Sequence, residues 1–287
     1  MELCSAARIK ELMERHGFSP SKSFGQNFLI DPAVPEKIAA GAAPDRETSV
    51  LEIGPGIGAL TRALSARSGE VFALEVDRSL EPVLRETLSE LSNTSVIFGD
   101  ILKTDIRKFA ADNFSFNKTA AVSNLPYNIT TKAVTALLEA RVFGSVTLML
   151  QREAARKITA CPGDADRCLF GVVVNHYATP SKLFSVPAGS FYPAPKVDSV
   201  VLRLEAKPPF PTPEGEKMFL AAARAVFSNR RKTILNNIAA AFCEVGKDGA
   251  ERFLKRLKID PGRRGESLTL EELYGISGEL MQIIQSI

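Results

Sequence analysis

Residues 49–59 read Ser-Val-Leu-Glu-Ile-Gly-Pro-Gly-Ile-Gly-Ala, an apolar run that leads into three glycines at alternate positions. The run predicts a buried strand over Ser49–Ile53, followed by a loop and then a helix through Leu60 and Leu64. The loop Gly54–Ala59 matches the G-x-G-x-x-A fingerprint, in which glycines let the main chain approach a ligand closely. A strand, a glycine loop and a helix in this order predict an α/β sheet with a nucleotide site at the carboxyl ends of its strands.

Acidic residues follow the next two predicted strands. Glu75 closes the apolar run Val71–Leu74, and Asp100 follows the run Val96–Phe98. Because parallel strands end at the same edge of a sheet, we expect both carboxylates near the glycine loop. Glu75 is placed to accept hydrogen bonds from ribose hydroxyls, and Asp100 from an adenine amine. The glycine loop and Glu75 suit NAD and S-adenosylmethionine (SAM) alike, since both carry an adenosine ribose.

A polar turn with an aromatic residue ends the fourth predicted strand. Residues 123–128 read Ser-Asn-Leu-Pro-Tyr-Asn and close the apolar run Ala120–Val122. The side-chain oxygen of Asn124 and the carbonyl of Pro126 are acceptors for an exocyclic amine, and Tyr127 offers a face on which a base can stack. The alternative is an ordinary turn in which Asn and Pro only form the turn. A dehydrogenase has no use for these groups, so this strand end favours SAM over NAD.

The rest of the chain divides at a proline-rich segment. Three more apolar runs bring the predicted strands to seven: 145–150, 182–186 and 200–204. Residues 207–213, Lys-Pro-Pro-Phe-Pro-Thr-Pro, are typical of a stiff linker, and beyond them the apolar residues take helical spacing. We therefore expect an α/β domain over 1–207 and a helical domain over 208–287.

Positive charge is concentrated in the predicted helical domain. The whole chain has a net charge of only +3, whereas residues 224–264 hold eleven Lys and Arg against four acids, a net of +7. The densest cluster is Arg230, Arg231 and Lys232. Such a cluster is often only a solvated face, but within this basic segment it predicts binding to RNA phosphates.

Four separate stretches together resemble one family. The motif Asn124-Leu125-Pro126-Tyr127 looks like the catalytic motif of amino-methylating adenine methyltransferases. In its Leu form it resembles the ribosomal RNA small-subunit adenine dimethyltransferases of the KsgA/RsmA type. Residues 21–31, the proline loop 191–199 and the cluster 230–232 are similar to further motifs of that family, so the resemblance covers nearly the full chain.

The resemblance implies an architecture and an activity. It implies a Rossmann-like, mostly parallel seven-stranded sheet with a small all-helical C-terminal domain. It implies SAM as cofactor and dimethylation of N6 on two adjacent adenosines in a hairpin loop near the 3′ end of 16S rRNA, in the immature 30S subunit. The cofactor residues it implies, some already named above, are Asn27, Leu29, Gly54, Gly56, Glu75, Asp100 and Asn124. Asn124, Pro126 and Tyr127 then grip the target adenine, Phe191 forms a second aromatic wall, and Lys22 joins the basic cluster in binding RNA.

Each of these implied roles has an alternative. Residues 21–31 also fit a simple connector, and Phe191 also fits a core position. The chain as a whole also fits an adenine N6-methyltransferase of large-subunit rRNA or DNA, or a non-catalytic ribosome-assembly factor on the same scaffold. A dinucleotide-dependent oxidoreductase is a further alternative.

Composition limits the remaining possibilities. With 45% hydrophobic and 24% charged residues, the 287-residue chain has ordinary globular values. Its four cysteines contain no Cys-x-x-Cys pair and it has only two histidines, so we expect free thiols and no metal site. No apolar leader or membrane span is evident, and we expect a soluble, cytoplasmic protein that acts as a monomer.

Overall fold

The computed structural model describes residues 3–21, 24–125 and 129–286. In chain order the strands are β1 (Phe28–Leu29), β2 (Thr48–Ile53), β3 (Glu70–Glu75), β4 (Thr94–Phe98), β5 (Lys118–Asn124), β6 (Ser145–Gln151), β7 (Ala178–Val186), β8 (Phe191–Tyr192) and β9 (Ser199–Ala206). The helices are α1 (Ala6–His16), α2 (Ala33–Ala42), α3 (Ala59–Ser65), α4 (Glu81–Thr87), α5 (Ile106–Asn113), α6 (Thr130–Glu139), α7 (Arg152–Thr159), α8 (Leu169–Tyr177), α9 (Pro213–Val226), α10 (Ile234–Ala241), α11 (Gly246–Arg256) and α12 (Leu270–Ser286).

Within the described residues, seven strands form the main sheet in the order β4-β3-β2-β5-β6-β9-β7. Strands β4, β3, β2, β5 and β6 pair in parallel, and β9 runs antiparallel to both of its neighbours. Helices follow most of the parallel strands, as crossover connections require. The predicted fold class is confirmed: a mostly parallel, seven-stranded Rossmann-like sheet followed by an all-helical C-terminal region.

The strand order reverses between β2 and β5. From β2 the chain moves outward to β3 and β4, and it then returns to place β5 on the other side of β2. The parallel register sets Ile53 opposite Ser123, so Gly54 and Asn124 follow as neighbours at the carboxyl ends of the two strands. A reversal of this kind opens a crevice at that edge of the sheet, where ligands bind.

Burial explains why β2 lies at the centre. All six of its residues are buried, and Val50 packs with Leu64 of α3 and Ile38 of α2 in one apolar cluster. A strand that is buried on both faces reads as a continuous apolar run, which is the pattern that located it in the sequence. The polar residues of β2 are Thr48 and Ser49 at its start and Glu52 near its end, and of these only Glu52 is ionisable.

The chain forms two compact units. The first takes in the described residues of 1–155 together with 178–206, and the second consists of 156–177 together with 207–286. The predicted division at residue 207 assigned the segment 156–177 to the α/β domain, whereas in the structure this segment belongs to the second unit.

Packing gives the reason for this difference. Val172 of α8 is fully buried in the apolar cluster that also holds Phe219 of α9 and Phe253 of α11. His176, also on α8, is 4% exposed, and its ring stacks on that of Phe219 at a centroid distance of 4.2 Å. The interpretation of His176 as a packed helix residue is confirmed. No helix in the described part of the chain is both long and apolar enough to cross a membrane.

Candidate active site

A cavity of about 970 Å³, counted to its open mouth, lies at the carboxyl ends of β2, β3 and β5. The structure brings all seven predicted cofactor residues to its wall: Asn27, Leu29, Gly54, Gly56, Glu75, Asp100 and Asn124. One site is therefore built from the ends of the sheet strands and from the segment that contains Asn27 and Leu29, although these residues are widely separated in the chain.

The glycine loop lines this cavity with main chain. Gly54, Gly56 and Gly58 have φ angles of 70°, 59° and 89°, in the left-handed region that favours glycine. A Cβ on Gly58 would lie 2.7 Å from a methyl of Leu88, so a side chain there would also displace its neighbour. The loop is held at its start by the N–H of Gly54, which donates to the carbonyl of Leu74 at 3.0 Å.

Glu75 ends β3 and is 4% exposed. Its Oε1 accepts the N–H of Asp77 at 2.9 Å, and its Oε2 accepts the N–H of Gly56 at 3.3 Å. Burial raises the pKa of Glu75, and these two N–H groups oppose that shift. Each carboxylate oxygen keeps a further lone pair, so Glu75 has the acceptor capacity that ribose hydroxyls require.

Asp100 lies two residues beyond the end of β4 and is half-buried. Its Oδ1 accepts the N–H of Leu102 at 2.9 Å, and no described residue donates to its Oδ2. The neighbouring wall is apolar: Ile101 is 4% exposed and Val76 is 46% exposed. A purine ring could lie against these side chains with its exocyclic amine at Asp100.

Asn124 is the last residue of β5. The hydroxyl of Ser123 donates to the carbonyl of Ile53 at 2.7 Å and ties this strand end to β2. The Nδ2 of Asn124 makes a long contact of 3.4 Å with the carbonyl of Asn27, which leaves its Oδ1 as the acceptor side of the amide. Pro126 and Tyr127 lie outside the described residues, so their assigned roles stay predictions.

Phe191 reaches the same region of the fold but not the cavity wall. Strand β8 pairs with β1 and sets Phe191 opposite Leu29. The ring of Phe191 is only 2% exposed and packs in the apolar cluster with Val34 and Ile38. A base cannot stack on a ring so enclosed. The stacking role of Phe191 stays a prediction, and it requires the ring to become accessible.

Glu52 is a cavity residue that the motifs did not identify. It is 1% exposed at the next-to-last position of β2, and no hydrogen bond of full geometry from the described residues reaches either of its carboxylate oxygens. Burial raises the pKa of Glu52 to about 8, the Thr61 hydroxyl opposes this shift only partly, and the Glu75 carboxylate adds to it. The signal was present in the sequence, since Glu52 is an acid inside a run of buried apolar residues. A carboxylate in this position would be stabilised by a positively charged ligand.

The basic cluster lies in the second unit, on the turn between α9 and α10. Asn237 is 2% exposed, and its Nδ2 donates to the carbonyls of Val226 and Asn229, which fixes the turn. The side chains of Arg231 and Lys232 are exposed on it. Arg230 is exposed as well, and one of its Nη atoms donates to the carbonyl of Ala165 at 2.8 Å. Lys22 lies outside the described residues, and its RNA-binding role stays a prediction.

The sheet topology and the position of the cavity define a methyltransferase of the Rossmann-like class. The chain belongs to the ribosomal RNA adenine dimethylase family, whose model matches residues 17–282. The family resemblance seen in the Asn124 motif is therefore confirmed, and the alternative of a dinucleotide-dependent oxidoreductase is wrong.

Relatives and solved structures agree with this assignment. The chain is 42% identical to the ribosomal RNA small subunit methyltransferase A of Pelotomaculum thermopropionicum, over 97% of each chain. It is 40% identical to the protein of that name from a Geobacillus strain, over 99% of each. A dimethyladenosine transferase from Plasmodium falciparum is similar in structure, with a TM-score of 0.77 and 26% identity, over 89% of this chain and 98% of that one. The 23S rRNA methyltransferase ErmE gives a TM-score of 0.70 and 28% identity, over 89% of this chain and all of that one.

The burial of Glu52 predicts a particular pH dependence of stability. The folded chain holds a proton on Glu52 up to a pKa of about 8, whereas the unfolded chain releases it near the ordinary pKa of 4.5. Stability of the ligand-free protein should therefore fall as pH rises between these values, by at most about 1.4 kcal/mol per pH unit from this group. In Glu52→Gln this contribution is absent. The stability difference between the variant and the wild type should grow from pH 5 to pH 8 and then level off.

Chemical denaturation followed by circular dichroism across this pH range measures the difference. Glu90→Gln, at a side chain that is 69% exposed, is the control and should show no such growth. A difference between Glu52→Gln and the wild type that stays constant with pH would contradict the assignment.

Proposed function

We propose that this protein uses SAM to dimethylate N6 of two adjacent adenosines in a hairpin loop near the 3′ end of 16S rRNA. It acts on the immature small subunit in the cytoplasm, as a monomer. The observation that carries the proposal is the single cavity that joins the glycine loop, Glu75 and Asp100 to Asn124 at its edge. The two bacterial relatives named small-subunit methyltransferases, about 40% identical over nearly their full length, support the choice of RNA.

The residues present fit SAM. Glu75 would accept the ribose hydroxyls, Asp100 the adenine amine, and the main chain of Gly54 and Gly56 would lie along the ligand. The buried carboxyl of Glu52, which no described residue reaches with a hydrogen bond of full geometry, fits a ligand that carries positive charge. When bound, SAM supplies a methyl group activated by its sulfonium centre.

Asn124 then prepares the target amine. The lone pair of an adenine amine is delocalised into the ring, which makes the nitrogen a poor nucleophile. A hydrogen bond from the amine to the Oδ1 of Asn124 favours a pyramidal nitrogen with its lone pair available, and the carbonyl of Pro126 would be the second acceptor. This is positioning and electrostatic preorganisation rather than general-base chemistry. A proton leaves the methylated nitrogen for water, and the same groups serve the second methylation.

The similarity to ErmE favours one second candidate, a methyltransferase of 23S rRNA. That protein matches 89% of this chain at 28% identity. The two candidates share the cavity chemistry and differ in the RNA that they bind.

Removal of the amide should separate catalysis from cofactor binding. We expect Asn124→Ala to lower methyl transfer by at least about 100-fold, the scale on which a preorganised polar group contributes to catalysis. The affinity for SAM should fall by less than about tenfold, because Glu75 and Asp100 remain. Transfer of labelled methyl groups to unmethylated 30S subunits and calorimetric titration with SAM give the two quantities.

Asn113→Ala is the matched control, since the amide of Asn113 makes a local hydrogen bond to the carbonyl of Phe109 in α5. This variant should retain wild-type transfer. Wild-type turnover by Asn124→Ala would rule out the role assigned to that amide.

The substrate assignment predicts which RNA is modified. Incubated with SAM, the protein should methylate 30S subunits from a strain that lacks its gene, while 50S subunits and duplex DNA stay unmodified. Mass spectrometry of nuclease digests should find dimethyladenosine in two neighbouring positions of 16S rRNA. Modification of 23S rRNA alone would instead establish the second candidate.

The basic turn predicts a change in the salt dependence of RNA binding. A protein releases counterions for each phosphate that it neutralises, so the combined substitution Arg231→Ala and Lys232→Ala should lower the slope of log K against log salt by about one to two. Filter binding to 16S rRNA over a range of salt concentrations gives the slope. Lys108→Ala, at an exposed residue of α5, should leave it unchanged, and an unchanged slope in the double variant would remove the turn from the RNA interface.

A further inference from the structure

The side chain of Gln26 makes hydrogen bonds at both ends of its amide, beside the cavity residues Asn27 and Leu29. The N–H of Ser21 donates to the Oε1 of Gln26 at 2.7 Å, and the N–H of Gln26 donates to the carbonyl of Ser21 at 3.2 Å. The Nε2 of Gln26 donates to the Oδ2 of Asp77 at 2.8 Å, across 51 positions of the chain. The oxygen of this amide therefore accepts from a main-chain N–H, which can only donate, and its nitrogen donates to a carboxylate, which can only accept.

Asp77 is itself held by hydrogen bonds, one of which connects it to Glu75, the acid proposed to bind ribose. It is 8% exposed, and its Oδ1 accepts the N–H of Ser79 at 3.0 Å and the hydroxyl of Ser79 at 2.6 Å. Its own N–H donates to the Oε1 of Glu75, whose Oε2 accepts the N–H of Gly56. A continuous series of hydrogen bonds thus runs from Gln26 through Asp77 and Glu75 to the glycine loop.

We propose that Gln26 and Asp77 are positioning residues for the cofactor: their hydrogen bond holds the segment Gly25–Leu29 against the cavity and orients the carboxylate of Glu75 through the main chain of Asp77. The inference rests on the proposed use of SAM. We expect the pair to act on cofactor binding, because its series of hydrogen bonds ends at Glu75 and Gly56. The contact between the carbonyl of Asn27 and Asn124 is long, at 3.4 Å, and does not involve the Oδ1 that accepts from the target amine in the proposed mechanism. A hydrogen bond from an amide to a carboxylate is among the stronger kinds, so its loss should be measurable.

The polarity of the pair makes a reciprocal exchange possible. In Gln26→Glu two carboxylates face each other, and in Asp77→Asn two amide nitrogens do. In Asp77→Asn, rotating the amide of Gln26 would turn its nitrogen toward the N–H of Ser21. Rotating the introduced amide would turn its nitrogen toward the N–H of Ser79. Either way two donors still face each other. In the double variant, the carboxylate introduced at position 26 accepts from Ser21 and from the amide introduced at position 77, whose Oδ1 still accepts from Ser79. The hydrogen bond is restored with reversed polarity, and the net charge of the pair equals that of the wild type.

Calorimetric titration with SAM and with S-adenosylhomocysteine, and steady-state kinetics on 30S subunits, test the proposal in the full-length protein. Each single variant should raise Kd and KM for SAM about tenfold and leave kcat within about twofold. The double variant should return to within about threefold of wild-type affinity. The controls are Asp105→Asn, which alters the Asp that caps α5 and does not line the cavity, and Gln282→Glu, at an exposed position of α12; both should bind SAM normally.

Two results would overturn the proposal. Wild-type affinity in both single variants would show that the hydrogen bond has no role in binding. A double variant as weak as the weaker single variant would indicate that Gln26 acts in some other way, such as direct contact with the ligand.

Hydrogen exchange separates this proposal from the proposed function. In the ligand-free protein, the amides of residues 24–29 should exchange faster in both single variants and at the wild-type rate in the double variant. A wild-type protein that fails to bind SAM would defeat the proposed function, while the exchange rates would still decide whether the pair holds the segment. Unchanged exchange in the single variants would refute the pair even if SAM binds.

Discussion

The parallel pairing of β2 with β5 is the constraint on which the site depends. Its register sets Ile53 opposite Ser123, and the hydroxyl of Ser123 bonds to the carbonyl of Ile53 at the last step of the ladder. A shift by one residue would turn the side chains of one strand to the opposite face. The glycine loop and Asn124 are therefore neighbours because of strand pairing. A substitution in either would have to preserve the register of β2 and β5 to keep the site intact.

Two buried acids in this cavity show how binding and folding oppose each other. Glu52 and Glu75 are both nearly inaccessible to solvent, and burial raises the pKa of each. Glu75 is compensated by two main-chain N–H groups, whereas Glu52 lacks a hydrogen bond of full geometry in the described part of the chain. A core selected for stability alone would hold an apolar residue at position 52, because an unpaired buried acid costs free energy. A site that has to attract a cation has a use for that acid.

Much of the fold could be predicted, because its central strands are buried on both faces and therefore appear as apolar runs between glycine and acidic residues. The placement of Glu75 and Asp100 at the cavity followed from the rule that parallel strands end at one edge. The sequence allowed Phe191 to be either a core residue or a stacking wall. It could not decide between them, since Phe191 and Tyr192 are adjacent aromatic residues and only the pairing of β8 with β1 determines which one enters the core. Gln26 was equally hidden, because its partner lies 51 positions away.

The second unit shows a limit of another kind, and it has a consequence for how the protein is made. The linker at 207–213 was the visible boundary, but α8 has the composition of any core helix and nothing in the sequence marks it as part of the helical unit. Because this unit is assembled from two stretches, with β7 and β9 of the sheet encoded between them, neither unit is complete when the ribosome has synthesised only the first 200 residues. Val172 emerges before Phe219 and Phe253, the residues that cover it. A fragment cut at the linker would separate these partners. Each unit has its own core, but the second can form only after the sheet strands between its two stretches have been synthesised.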